Sequence, residues 1–593
     1  MNNNHRKKEK RNTIIRRIVR IPFMVSLFAI LTLLYEFGFE HKPYEFNIFR
    51  QIYICSIIIG AISIIIRYFF KINRPRIKTL PFDILLVAFL ALIASVHLWF
   101  DVIWSMPIFN NVLWIYVAVF FVFIREFSAI KVEFKRAVFN PAQLFVLSFL
   151  LIIITGAFLL MLPKATHINI SLIDALFTST SAVCVTGLIV VDTGSFFTEF
   201  GQIIIAFLIQ IGGLGIMTFT SYFSYFFRGS ASYESQLILR DFTNAERLSE
   251  VFSVLKKILI ITILIEALGA FLILTTIDKT VIPSPTDRVF FAVFHSISGF
   301  CNAGFSTLPN SFYESTFQFN YPLHLTVAFL FILGGLGFPI VFNMLKFIQA
   351  RIKSSILYLF HRKNQMPSPW LFNVNTHIVL ITSLILTLSG TIAFFIFEYN
   401  NTLSDHSFFG KIITAFFGAV TTRTAGFNTV DTTALSIPTL LIVIFLMWVG
   451  ASPSSTGGGI KTSTLAVALI NIISIAKGTS RLEVYKREIP QVSVNRAFAI
   501  IVLSILVISL SILFINIFDS GKEFLDICFE CISAFSTVGL SKGITPELCS
   551  ASKFILILTM FIGRVSMLTI LIAFFKKISF GNYRYSTESI LIN

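Results

Sequence analysis

Apolar runs of roughly 20 residues recur from one end of this chain to the other, each long enough to cross a bilayer as a helix. Charge is correspondingly scarce. Only 13% of the 593 residues are Asp, Glu, Lys or Arg, 55% are hydrophobic, and the mean hydropathy is +0.83. A soluble protein of this length carries about twice that charged fraction, and a water-soluble core could not hide 68 phenylalanines. The fold class expected is an all-α polytopic membrane protein.

The formal net charge of +17 sits between the apolar runs. Basic residues gather at Lys7 to Arg20, Lys131 to Arg136, Arg228 to Lys257, Lys346 to Lys363 and Lys477 to Arg496, and at Lys576 with Lys577. A Lys/Arg excess of this kind marks cytoplasmic loops, which places the N-terminus in the cytoplasm. No long polar domain exists to carry a nucleic-acid face, so no nucleic acid is expected as a partner. The N-terminal basic stretch leads into Ile21 to Leu34 without a small-residue cleavage site, and reads as a retained first helix. Cys528 and Cys531 form a CxxC with no second pair or histidine cluster to complete a zinc site. With Cys55, Cys184, Cys301 and Cys549 they read as packing residues.

Four spans come first, near 22–38, 51–70, 81–100 and 108–127, and carry no legible motif. From Asn140 onward one unit occurs four times: an apolar helix, a short amphipathic segment ending in small polar residues and a glycine, and a second apolar helix. The short segments read DALFTSTSAVCVTG from Asp174 to Gly187, FHSISGFCNAG from Phe294 to Gly304, FGAVTTRTAG from Phe417 to Gly426, and FECISAFSTVG from Phe529 to Gly539. Their final glycines lie 117, 122 and 113 residues apart. That period, with two spans per unit, is a membrane repeat. The expected domains are a basic N-terminus (1–20), four accessory helices (21–138), pore repeats at 139–228, 250–350, 370–478 and 494–580, and a C-terminal tail (581–593).

A segment of about 12 residues is too short to cross. It must enter the membrane and turn back, which irregular backbone survives only where protein buries it or water lines it. Four such turns on one axis would make a pore. A potassium ion shed of water is held by rings of backbone carbonyls, and glycine supplies the positive φ that lets successive carbonyls point one way. The expected lining is Val185-Thr186-Gly187, Asn302-Ala303-Gly304, Thr424-Ala425-Gly426 and Thr537-Val538-Gly539. Each short helix would aim the negative end of its dipole at the ion. Close helix packing is the competing use of a single membrane glycine; four in matching contexts favour the pore.

Three consecutive glycines with Pro453 interrupt an apolar helix at Ser452, Pro453, Ser454, Ser455, Thr456, Gly457, Gly458 and Gly459. Such a break is either a mobile obstruction below the filter or a packing kink. Lys461 and Arg564 are charges at membrane depth, either functional or snorkelling. Glu266 is either paired structurally or coupled to ion movement. His295 and Glu530 are expected to hydrogen-bond within the short helices, and Arg423 to pair with an acidic group outside the pore.

These motifs carry a resemblance. TTRTAGFN (Thr421 to Asn428), the interruption from Ala451 to Thr462, IQIGGLG (Ile209 to Gly215) and FIGRV (Phe561 to Val565) resemble the Trk/Ktr/HKT superfamily of cation transporters, and within it the Ktr-type membrane subunit. The resemblance covers about 140 to 593. It implies a potassium-uptake transporter or channel subunit with K+ at the filter carbonyls, a gating loop at 451–460, and Arg564 in contact with that loop. It further implies a homodimer in a bacterial cytoplasmic membrane, with Na+ as an activator at most. A cytosolic nucleotide-binding regulatory subunit is implied too, for which 346–363 and 477–496 offer basic docking surfaces. The chain has no phosphate-binding loop of its own, so nucleotide acts only through that partner, and no covalent cofactor is expected. Ser566 and Met567 stand where the family usually has glycine and proline. Within the superfamily a serine in place of the first glycine accompanies Na+ permeation, so Gly187 favours K+ over the alternative of a Na+-translocating or poorly selective relative. An embedded enzyme finds no support: there is no HExxH, no GxSxG in a plausible setting and no aspartate pair across spans.

Overall fold

The computed structural model describes residues 2–69, 80–98, 111–129, 141–226, 251–361, 374–479, 481–485 and 487–575. The basic stretch Lys131 to Arg136, residues 228–250, Lys576 with Lys577 and the tail 581–593 lie outside the described residues. Two compact units divide the chain, one of Met1–Lys135 with Leu162–His167, the other of Arg136–Met161 with Ile168–Asn593. Among the described residues seven helices are long and apolar enough to cross a membrane, or nine if two sharply bent pairs each count as one span.

The first unit holds α1 (Asn2–Gly38), α2 (Pro43–Phe69), α3 (Leu80–Leu98) and α4 (Leu113–Ala129). Ile57, Leu90, Ile93, Val119 and Val122 form its core. Gly60 lets α2 lie directly on Val122 of α4. Buried among these apolar residues is polar chemistry that the sequence alone did not reveal. Arg125 clasps Asp83 with two bonds of 2.6 and 2.7 Å, Tyr68 donates to the same carboxylate at 2.5 Å, and Arg67 pairs with Glu126. Glu36 accepts from Tyr53 at 2.5 Å and Tyr116 at 2.6 Å. Charges this deep need partners, and each carboxylate here has one.

The second unit contains the four repeats. Their outer helices are Pro141–Leu160, Val251–Thr276, Val374–Glu398 and Gln491–Phe518. The short helices are Leu172–Val183, Pro285–Cys301, Phe408–Thr421 and Phe524–Ser536, of 12, 17, 14 and 13 residues. At 1.5 Å per residue the shortest spans about 18 Å, well under the bilayer core. Ser171, Ser284 and Ser407 start the first three by accepting backbone N–H groups of Asp174, Asp287 and Gly410, leaving fewer orphan donors at the helix entry.

The four inner helices differ in continuity. That of repeat one runs unbroken from Glu199 to Phe226. In repeat two, Tyr321–Leu336 and Phe338–His361 meet at 106° around Gly337. In repeat four, Ser550–Val565 and Met567–Phe574 meet at 89° around Ser566. The inner helix of repeat three stops at Trp448 and resumes at Thr462. A two-stranded antiparallel hairpin, Glu483–Val484 with Arg487–Glu488, follows it.

Candidate functional site

The four short helices end where the sequence places its glycine triplets. Gly187, Gly304, Gly426 and Gly539 have φ of +88°, +68°, +77° and +92°, a region open to glycine and closed to most other residues. A methyl group on any of them would strike a backbone carbonyl of another repeat. Gly187 faces the oxygen of Ala303, Gly304 that of Ala425, Gly426 that of Val538, and Gly539 that of Thr186. The order one-two-three-four-one closes on itself, so the four triplets form a ring of backbone.

In repeats one, two and four the first residue of the triplet is also left-handed: Val185 at +56°, Asn302 at +61° and Thr537 at +51°. Positive φ at the first and third positions of a triplet turns successive carbonyls out of strand alternation. For β-branched Val185 and Thr537 this is strained backbone, of the kind that functional sites retain. Repeat three differs, with only Gly426 at positive φ.

A hydroxyl five or six residues upstream clamps each turn. Ser181 accepts from the Gly187 N–H at 3.0 Å and Ser533 from that of Gly539 at 3.1 Å. Ser298 donates to the Phe305 carbonyl and Thr421 to that of Phe427, both at 2.7 Å. Asn302 ties repeats two and three: with its amide oriented to satisfy both ends, the nitrogen donates to Gly299 and Phe331 and the oxygen accepts from Thr424 Oγ1 at 2.5 Å. The hydroxyl clamps and the Asn302 tie went unread in the sequence, although Ser and Thr before each glycine were the available signal.

The interruption in repeat three lies against this ring. Ser452 N–H donates to the Gly335 carbonyl at 3.0 Å, Thr456 N–H to Gly334 at 3.3 Å, and Gly458 N–H to Thr537 Oγ1 at 2.9 Å. Gly457 packs on Thr424. Ser454 and Gly459 have φ of +59° and +69°, and the Ser454 carbonyl accepts from Phe338 N–H at 3.1 Å, beside Pro453. The Ser455 hydroxyl donates back to the Ser452 carbonyl at 2.6 Å. Lys461 curls onto the loop and donates to the Gly457 carbonyl at 2.6 Å. Arg564, 4% exposed, donates to the Thr456 carbonyl and, at 2.7 Å, to that of Gly212 in repeat one.

A second fourfold pattern, missed in the sequence, explains the position of Arg564. Gly212, Gly334 and Gly563 each abut the carbonyl at the end of their own short helix, on Val183, Phe300 and Phe535. Gly450, two residues past the end of the helix that stops at Trp448, abuts the loop carbonyl of Gly458 instead. The next residues are Gly213, Gly335, Ala451 and Arg564. One repeat in four therefore puts a guanidinium where the others have a small side chain.

The remaining buried groups have the following neighbours. His295 bonds to the Phe291 carbonyl at 2.9 Å and to Ser306 at 3.0 Å, and Glu530 accepts from Ser541, Lys542 N–H and Thr545. Glu266 accepts from Gln210 at 3.1 Å, with Cys301 Sγ at 3.9 Å. Among the described residues Arg423 does not pair with an acid as expected: its contacts are Ser383 and Thr387 of its own outer helix, at 3.4 Å. It turns sideways off the triplet toward the face of that helix, where the residues are neutral. Among the described residues no group of three or more His, Cys, Asp or Glu could hold a metal. The oxygen donors gathered at the ring are backbone carbonyls, the donor class that replaces the hydration shell of a monovalent cation.

Comparison with known proteins agrees with this architecture. The profile of the TrkH family, described as "Cation transport protein", matches residues 107–584, beginning just before the fourth span and not at 140. The Ktr system potassium uptake protein B of Bacillus subtilis is 36% identical over 75% of this chain and 95% of its own length. That of Vibrio alginolyticus is 38% identical over 72% and 90%. The potassium/sodium uptake protein NtpJ of Enterococcus hirae is 34% identical over 76% and 97%. In fold, the crystal structure of the potassium transporter TrkH from Vibrio parahaemolyticus superposes with a TM-score of 0.59 at 18% identity, covering 84% of this chain and 97% of that one. A helical, multi-pass chain with four re-entrant repeats, matched over most of its length by this profile, belongs to the TrkH family of cation transport proteins.

Proposed function

We propose that this chain is the ion-conducting membrane subunit of a bacterial potassium-uptake system, and that K+ passes through the glycine ring. The observation that carries the reading is the closed circuit of contacts among the four glycines and the carbonyls of Thr186, Ala303, Ala425 and Val538. The triplets at Val185–Gly187, Asn302–Gly304, Thr424–Gly426 and Thr537–Gly539 are the selectivity filter. The names of the B. subtilis and V. alginolyticus relatives support K+ as cargo. That of the E. hirae relative supports Na+ as a second ion, an activator or a competing cargo.

The segment Ser452 to Gly459, with Lys461, is the gate in this reading. Its backbone meets Thr424 and Thr537 of the ring, and Arg564 on its Thr456 carbonyl would put positive charge beside the ion path. A cytoplasmic N-terminus in the cytoplasmic membrane fits the basic loops, and the resemblance to Ktr-type membrane subunits supports a homodimer. A cytosolic nucleotide-binding subunit would dock on 346–363 and on the hairpin within 477–496. The test is ion flux into liposomes holding the purified chain: K+ uptake well above Na+ uptake is expected, and equal rates would reduce the claim to an unselective cation pathway.

A further inference from the structure

A cavity of about 280 Å3 lies between the inner helix of repeat two and the outer helix of repeat three. Phe331, Leu336, Leu380, Leu384, Phe416 and Val420 make its walls apolar. Its edge reaches the lipid-facing surface, since Leu384 is 59% exposed between Ile381 and Leu388, which are exposed too. One cation enters this apolar space, the guanidinium of Arg423. Its contacts with Ser383 and Thr387 are all 3.4 Å, at the limit of hydrogen bonding, and all to neutral groups. Its Nε is buried without a hydrogen-bond partner among the described residues. A guanidinium kept from water without an anion is costly.

We propose that this cavity binds a long-chain fatty acid, its ionised carboxylate on Arg423 and its chain along the apolar walls. The guanidinium fork matches a carboxylate with two parallel bonds. A diacyl phospholipid would have to bring two acyl chains to a cavity of this size. The volume, just under the roughly 300–1,000 Å3 typical of small-molecule sites, has room for part of one acyl chain, and the open edge at Leu384 lets the remainder run along the lipid-facing surface. Thr424 and Ala451 also line the cavity, so the bound chain touches one residue of the ring and one at the root of the loop.

The test uses the full chain in nanodiscs of zwitterionic lipid, with stearate spin-labelled near its methyl end as probe. An immobilised signal is expected, which oleate displaces at concentrations about tenfold below those needed of oleyl alcohol or an anionic diacyl phospholipid. Arg423→Gln and Leu384→Trp, which obstructs the mouth, should each weaken binding by about tenfold. Equal displacement by oleyl alcohol would overturn the charge pairing, and equal displacement by the phospholipid would overturn the choice of ligand. Loss in Leu384→Trp with none in Arg423→Gln would also overturn the pairing. Should Arg423→Gln fail to fold, the competition series on the unmodified chain and the Leu384→Trp result decide alone.

Discussion

Ser566 has φ of +74° and ψ of +127°, nearly the conformation of Gly337 (φ +83°, ψ +141°) at the corresponding bend of repeat two. A side chain there is strained, by about 1 kcal/mol or more. Ser566→Gly should therefore raise the thermal unfolding temperature of the purified protein, and a lowered temperature would mean that the hydroxyl or the strain itself stabilises the bend. Gly187 is the opposite case. It has φ of +88° and no space between its Cα and the Ala303 carbonyl, so a side chain both strains the backbone and pushes on the ring. Arg564 acts through contact, holding the Thr456 and Gly212 carbonyls together. Arg564→Met keeps the bulk and removes both bonds, and K+ flux should rise several-fold. Unchanged flux would separate this residue from gating.

Among the elements, the broken inner helix of repeat three carries the regulatory claim. Its loop is held by backbone bonds to Gly334, Gly335 and Phe338, by one to Thr537 and by Arg564 on the Thr456 carbonyl. The neutral bonds are worth about 1 kcal/mol net each and the charged one about 1.5–3, so removing Arg564 loosens the loop most. Removing Ser452 to Gly458 should increase K+ flux and weaken its regulation; a folded protein with unaltered flux would contradict the assignment. Composition and turn chemistry made this element legible, because Pro453 and three glycines cannot continue a helix. The short helices were legible for a similar reason, being too brief to cross and ending in glycine. Arg423 was not, because its surroundings come from an outer helix 36 to 40 residues upstream, a distance no local pattern encodes. Nor were the inner-helix glycines, whose spacing looks like ordinary helix packing until the carbonyls they touch are seen.

At the scale of the whole molecule, the two compact units invite separate treatment. The first buries its own carboxylates against Arg67, Arg125 and tyrosines, and the glycine ring draws all its residues from the second. Removing residues 1–135 should leave the preference for K+ over Na+ unchanged in flux assays, whereas altered selectivity would mean that these helices shape the filter. The repeats begin in the sequence at Asn140, and the second unit begins at Arg136. The sequence disclosed nothing of the polar core before them, since acids and arginines on different helices show their pairing only when the helices meet.

The most direct test of the central claim is K+ and Na+ flux into liposomes for the unmodified chain beside Gly187→Ser. The account predicts strong preference for K+ in the former and a preference reduced by about tenfold, ~1.4 kcal/mol, in the latter. An unchanged ratio in a folded Gly187→Ser protein would contradict the assignment of the glycine ring as the filter.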